Sequence, residues 1–292
     1  MNAGKSYIAP FEIGAPCAGG CVGRVAEVDG SFEDGPNVGD LVTGMLPWVS
    51  NQTLTADAFK SLTVLPEASL GGAPPSYLLG AMGMTGLTAL LPIENFTTPE
   101  EGQVAFISGA AGAVGSVAGA ILKSMGLTVY GSAGSDEKCR VCTEEIGFDG
   151  CFNYKTVESP AAGLESVLNG AEINIYYDNV GGEMLDAVLE KMAPFGVIIA
   201  CGAISQYNLK PEERYGLKNS FMVIGKSLSW RGFIVTNWIS EFPAAVGRLS
   251  ALIASGKLTV KETVRDTGIE GVPQALCDLF EGANVGKMVC KL

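Results

Sequence analysis

Val104-Ala-Phe-Ile-Ser-Gly109-Ala-Ala-Gly112-Ala-Val-Gly115 decides the fold. An apolar run of five residues enters a turn of glycine and alanine. Residues 113–125 follow, with Val114, Val117, Ala118, Ile121 and Leu122 at helical spacing. This reads as a buried strand, a tight turn and a helix N-terminus. Glycines let a backbone approach an anion closely, and a helix N-terminus offers unpaired N–H groups and the positive end of its dipole. In this context the pattern predicts a dinucleotide pyrophosphate site at Gly112, Ala113, Val114 and Gly115. The spacing is G-x-x-G-x-x-G rather than G-x-G-x-x-G, and the plainer alternative is a sharp turn with close helix–strand packing.

The next strand, 127–131, bears on which dinucleotide is bound. It runs out through Tyr130-Gly131-Ser132-Ala133-Gly134-Ser135 with no carboxylate at its tip, and Lys138 follows. An NAD site wants an Asp or Glu there for the ribose hydroxyls. Small hydroxyl-bearing residues and a lysine suit a 2′-phosphate, so the expected cofactor is NADP(H). Asp136 and Glu137 read as favourable charges at a helix N-terminus.

Working outward, strands and helices alternate: a helix over 137–146, a short strand over 151–154, a strand over 173–177, a helix over 184–192 and a strand over 197–201. Alternation of this kind predicts a parallel sheet with helices on both faces. Residues 1–80 instead carry short strand candidates, 22–28 and 41–45, between Gly/Pro turns, which suggests a small barrel or sandwich. Beyond Trp230 come a helix (242–255), a strand (260–264), a helix (272–281) and a strand (288–292). The expected class is α/β: a doubly wound Rossmann sheet over 84–236, flanked by 1–83 and 237–292.

Composition narrows the chemistry. The chain has 292 residues, 47% hydrophobic and 17% charged, enough for a large core. Its 19 basic and 31 acidic residues give a net charge of −12, which argues against nucleic acid as a partner. There is no histidine. That excludes a Ser-His-Asp triad, a Cys-His dyad, a His-containing zinc site and any imidazole acid or base. Eight scattered cysteines suggest free thiols in a reducing cytoplasm rather than a disulfide scaffold. Cys139-Arg-Val-Cys142 is a single C-x-x-C without a second pair, so no metal is expected. No signal peptide is visible, and the long uncharged stretches are broken by proline or glycine, so no membrane span is expected. None of the eight tyrosines has a lysine four residues later, which excludes the short-chain dehydrogenase pattern.

The motifs then carry a resemblance. Ala111-Gly-Ala-Val-Gly115-Ser, Gly134-Ser-Asp-Glu-Lys138, Gly147-Phe-Asp-Gly-Cys-Phe-Asn-Tyr154-Lys-Thr, Tyr177-Asp-Asn179-Val-Gly-Gly, Cys201-Gly-Ala-Ile-Ser205-Gln-Tyr207-Asn, Arg231-Gly-Phe-Ile-Val235 and Ala283-Asn284-Val-Gly-Lys287 occur in order along the chain. Together they resemble the zinc-independent, NADP-dependent alkenal double-bond reductases of the medium-chain dehydrogenase/reductase type. That group includes the leukotriene B4 12-hydroxydehydrogenase/prostaglandin reductases and the curcumin reductases. The resemblance implies a GroES-like β-barrel built from both chain ends beside the Rossmann domain, and a homodimer. It implies that Lys138 and Tyr154 meet the 2′-phosphate. Asn179 and Cys201, Gly202, Ala203, Ile204, Ser205 and Tyr207 would line the cofactor cleft. Met84, Thr85, Phe233, Ile234, Val235 and Asn284 would reach the nicotinamide side. The implied substrate is a small α,β-unsaturated aldehyde or ketone, with Tyr7 as the candidate polarising or protonating residue. Compared with the family pattern the chain begins late, so an incomplete barrel is expected. A quinone oxidoreductase and an NADPH-binding protein of little activity remain as alternatives.

Overall fold

The computed structural model describes residues 11–29 and 35–292. Tyr7 lies outside the described residues. Three strands near the start, β1 (Ala18–Arg24), β2 (Leu41–Pro47) and β3 (Thr63–Leu65), form an antiparallel sheet, with α1 (Ala56–Phe59) between the last two. The strand expected over 22–28 begins earlier and ends at Arg24, which pairs with Leu41. Gly19 and Gly20, ahead of the expected strand, pair within β1 with Leu46 and Met45. The indole of Trp48 covers Gly19 so closely that a Cβ there would come within 2.7 Å of Nε1.

The centre of the chain is the alternating block. In order it comprises α2 (Met84–Phe96), β4 (Val104–Ser108), α3 (Gly115–Ser124), β5 (Thr128–Ala133), α4 (Asp136–Arg140) and β6 (Gly150–Asn153). It continues through α5 (Pro160–Leu168), β7 (Ile173–Asp178), α6 (Gly182–Lys191), β8 (Met192–Ala200), α7 (Met222–Gly225) and β9 (Ser229–Gly232). The six strands pair in parallel in the order β6-β5-β4-β7-β8-β9. Numbered from β4, this is the 3-2-1-4-5-6 order of a doubly wound dinucleotide fold. The helix expected over 137–146 is two pieces: α4 passes into a π-turn at Val141–Ile146.

Both faces of this sheet are covered, which is why its strands are continuously apolar. Side chains alternate across it. Ala105 and Ile107 of β4, Val129 of β5 and Tyr177 of β7 face a core shared with α2, α3 and α8 (Phe242–Ala254). Phe106 and Tyr176 face the opposite core with α5 and α6. A register shift between Ile173 and Ile175 lets Ile173 join that second core.

One buried contact ties α2 to the sheet. Pro92 sits inside α2 and has no N–H to give to the carbonyl of Thr88. The hydroxyl of buried Tyr177 supplies it, donating to Thr88 O at 2.5 Å.

After α8, β10 (Glu262–Asp266) and β11 (Lys287–Lys291) pair in parallel, with α9 (Val272–Phe280) between them. The two chain ends meet at the short 3-10 helix Pro75–Leu79, where Ser76 Oγ donates to Glu262 Oε2 at 2.6 Å.

Candidate functional site

The order of the sheet reverses between β4 and β7, and at such a switch point a crevice opens beyond the carboxyl ends of the strands. The glycine turn leaves β4 at this point. Gly109 has φ +64, and a Cβ on Gly115 would come within 2.3 Å of Gly109 O, so the first turn of α3 can pack on the loop only as glycine. The helix therefore starts at Gly115, two residues later than its apolar spacing suggests. Ala113 and Val114 lie in the turn, and the Val114 N–H donates to no carbonyl among the described residues. A free N–H ahead of a helix N-terminus fits a pyrophosphate.

A loop from the far end of the chain crosses this turn. Gly286 N donates to Ala111 O at 2.8 Å and forms a bridge with Gly112. Gly286 has φ +66, and a Cβ would stand 1.8 Å from Lys261 O. In the same loop buried Asn284 donates from Nδ2 to Gly286 O at 2.7 Å, and Val285 N donates to Thr263 Oγ1 at 2.9 Å. At its other end Gly282 O accepts from Lys138 Nζ at 2.6 Å. Residues 282–286 thus run from Lys138 to the glycine turn and bring Asn284 to it.

At the ends of β5 and β6, Ser135 caps α4 by accepting from Lys138 N at 3.2 Å. Tyr154 follows β6, and its N–H donates to Ala133 O at 3.1 Å. Gly134 makes room for it: a Cβ there would meet Tyr154 Oη at 2.9 Å and Lys155 Cε at 3.5 Å. Partial burial lowers the pKa of Lys138, and the neighbouring charge of Lys155 lowers it further. Tyr154 and Lys155 over Gly134, with the Lys138 ammonium close enough to feel the charge of Lys155, fit a phosphate monoester. Lys155 carried no signal in sequence beyond standing next to Tyr154.

Between β4 and β7 lies a network that sequence reasoning missed. Asp178 is buried and accepts from Tyr176 Oη (2.7 Å), Ser108 Oγ (3.2 Å), Val180 N (3.0 Å) and Gly181 N (2.8 Å). Burial pushes its carboxyl up from the usual carboxylate range, and the four donors oppose that shift. Asn179 Nδ2 donates to Ser108 O at 2.8 Å, so both residues bind the two strand ends together at the switch point. Carboxylates read from sequence usually suggest acid–base work, but here every oxygen contact of Asp178 is to a positioning group.

The loop after β8 is fastened to the same turn. Cys201 N and Gly202 N donate to Asp178 O at 2.9 and 3.0 Å, and Ile204 N donates to Asn179 O at 3.2 Å. Ser205 Oγ donates to Val180 O at 2.7 Å, and Tyr207 Oη accepts from Ala203 N at 2.9 Å. Burial pushes the Cys201 thiol up to about 11, so it is a neutral thiol rather than a nucleophile. Cys201, Gly202, Ala203 and Tyr207 line a cleft of about 390 Å³ with Gly181, Leu185 and Trp230. Gly112 to Gly115, Lys138 and Tyr154 are outside that lining and form the separate groove described above.

The remaining expected residues divide. Met84 is exposed at the start of α2, and the buried hydroxyl of Thr85 has no partner among the described residues. Phe233 packs edge-on against Phe96, with centroids 6.1 Å apart, and against Trp238 at 5.5 Å. Ile234 is exposed and Val235 is in the core. Among the described residues no group of three or more Cys, Asp or Glu is placed to hold a metal.

Comparison with known proteins agrees with this geometry. The chain is 38% identical over 285 residues to the NADP(+)-dependent 2-alkenal reductase of Nicotiana tabacum, covering 97% of this chain and 79% of the relative. It is 39% identical over 272 residues to prostaglandin reductase 1 of Mus musculus, covering 92% and 80%. The crystal structure of CurA from Vibrio vulnificus in complex with NADPH superposes with a TM-score of 0.82 at 31% identity, covering 99% of this chain and 84% of that one.

The chain belongs to the alkenal and prostaglandin reductase group of the medium-chain dehydrogenase/reductase family.

The family model described as zinc-binding dehydrogenase matches residues 113–251 of this reductase, from the glycine turn into α8. On this medium-chain reductase fold, the loop 282–286 is tied to the glycine turn through Ala111 O and to Lys138 through Gly282 O.

Proposed function

We propose that this protein is an NADPH-dependent reductase of the C=C bond in α,β-unsaturated aldehydes and ketones. The cofactor reading rests on one observation: Lys138 and Tyr154 flank the end of β5, which carries no carboxylate. The substrate class follows from the activities for which the relatives are named.

The division of labour is as follows. The glycine turn at 112–115, with the free N–H of Val114, binds the pyrophosphate. Lys138 and Tyr154, with Lys155 beside them, bind the 2′-phosphate. Asn179 and the loop 201–207, held to the β7 turn, set the floor of the cleft. The loop 282–286 covers the pyrophosphate end and excludes water there. When bound, NADPH supplies a hydride to the β-carbon of the substrate. Charge then develops on the carbonyl oxygen, and hydrogen-bond donors stabilise it. Tyr7 holds the proton delivered to the α-carbon, a role drawn from its place in the family motif.

Residues 84–236 form the cofactor unit, and 1–83 with 237–292 form the substrate unit. The protein acts as a homodimer in the cytoplasm. Support for the dimer is the group of exposed Phe195, Phe221, Ile224 and Trp230 beside the edge strand β9. Support for the compartment is the set of free cysteines, and no helix among the described residues is long and apolar enough to cross a membrane.

Steady-state oxidation of NADPH with a 2-alkenal, an enone and a quinone tests the function. Turnover of the first two in preference to the quinone supports it. Preference for the quinone, or tight NADPH binding with no turnover, overturns it.

A further inference from the structure

Directly behind the 2′-phosphate groove lies a group of three thiols that the proposed reaction does not use. Cys139 and Cys142 stand one turn apart where α4 passes into the π-turn, and Cys151 faces them from β6. Cys139 and Cys151 both pack against the side-chain cluster that contains Cys142, and Cys151 interacts with both other thiols. The three differ in access: Cys142 is fully buried, whereas Cys139 and Cys151 are each partly exposed. They also differ in chemistry. The neighbouring Cys151 and the backbone at Ala133 draw the Cys139 thiol below the usual range. The neighbouring thiols Cys139 and Cys142, and after them partial burial, push the Cys151 thiol up. Such an arrangement supplies an accessible sulfur with thiolate character beside a protonated partner, the pairing expected of an attacking and a resolving cysteine.

Position gives the pair a consequence. Cys139 follows Lys138 directly, and Cys151 lies three residues before Tyr154. The two sulfurs therefore join the same two elements that carry the expected 2′-phosphate ligands.

We propose that Cys139 and Cys151 are a reversible thiol–disulfide couple, oxidised by hydroperoxides, that sets the affinity of the neighbouring groove for a 2′-phosphorylated dinucleotide. The Cys139 thiolate attacks the terminal peroxide oxygen, the O–O bond breaks, and the alcohol or water leaves with a proton. Cys151 then attacks the sulfenic sulfur, the S–S bond forms, and the hydroxyl leaves as water with the Cys151 proton. The two thiols lose two electrons and the hydroperoxide gains them; a dithiol reverses the step. Closing the sulfurs to a bond of about 2.05 Å draws α4 toward β6 and shifts Lys138 relative to Tyr154.

Peptide mapping of the whole protein after treatment with hydrogen peroxide tests the couple. The expected result is loss of two alkylatable thiols and a crosslinked peptide joining residues 139 and 151, restored by dithiothreitol. Cys142→Ala retains the crosslink, and Cys151→Ser instead accumulates sulfenic or sulfinic acid at Cys139. Recovery of Cys139 and Cys151 as free thiols after peroxide, or a first crosslink through Cys142, overturns the couple. The effect on affinity rests on the NADPH reading, and the mapping does not. Binding titrations are expected to show NADPH weakened several-fold in the oxidised protein and NADH unchanged. Equal NADPH affinity of the two forms overturns the coupling, and failure of both forms to bind NADPH overturns the cofactor reading instead.

Discussion

At the scale of single residues, Lys138 carries most of the cofactor argument. Its ammonium is partly dehydrated and faces Lys155, and its contact in the structure is one carbonyl at 2.6 Å. A phosphate offers it more than that carbonyl does. Replacing it, Lys138→Gln, is expected to weaken NADPH about 10- to 100-fold, the equivalent of a charged hydrogen bond of about 1.5–3 kcal/mol. Binding of NADH should change little, and equal losses for both would contradict the assignment. The pH dependence has a definite sign. Burial and Lys155 lower the pKa, so this lysine loses its proton earlier than an ordinary one as pH rises. NADPH affinity should therefore fall as pH rises through that value, while NADH affinity stays flat, in titrations carried out with each cofactor. Lys138 and the absent carboxylate could be read from sequence because both sit within a few residues of a recognisable strand end. Lys155 and the carbonyl of Gly282 could not, since their approach is set by how β6 and the C-terminal loop fold back.

At the scale of elements, two contacts hold the groove in shape. Pro92 leaves Thr88 O without its helical donor, and Tyr177 Oη fills the place. Tyr177→Phe would leave a partly buried carbonyl unpaired, so a loss of about 1–3 kcal/mol in denaturant unfolding is expected. An unchanged midpoint would show that α2 finds another donor. Gly286 is the second. With positive φ and a Cβ position 1.8 Å from Lys261 O, it accepts no side chain. Gly286→Ala should cost about 1–3 kcal/mol and lift residues 282–286 from Ala111, which hydrogen exchange at Gly286 N–H would report. Retained protection would mean the loop is held elsewhere. The strands and helices of the block were legible because apolar runs and 3.6-residue spacing are local. The helix start at Gly115 was not, because it depends on the contact between Gly115 and Gly109 O. The π-turn at Val141–Ile146 was likewise hidden, since the periodicity runs through it unbroken. The Ser108–Tyr176–Asp178 network joins residues about 70 apart in sequence, and only the sheet order brings them together.

At the scale of the whole molecule, the parallel sheet creates the switch point, and the C-terminal loop returns to close over it. The alternation of strand and helix made the sheet legible, and the motif order made the family legible. The union of the two chain ends rests on contacts such as Ser76 with Glu262, 186 residues apart, which leave no mark on the sequence. If β9 is the dimer edge, light scattering should give the mass of two chains, and Phe221→Asp with Ile224→Asp should halve it. A monomeric wild type would contradict the dimer. The most direct measurement is the product formed from a 2-alkenal and NADPH, identified by NMR. The account predicts a saturated aldehyde with the carbonyl retained and one NADPH consumed per C=C bond. An allylic alcohol, formed by reduction of the carbonyl, would contradict it.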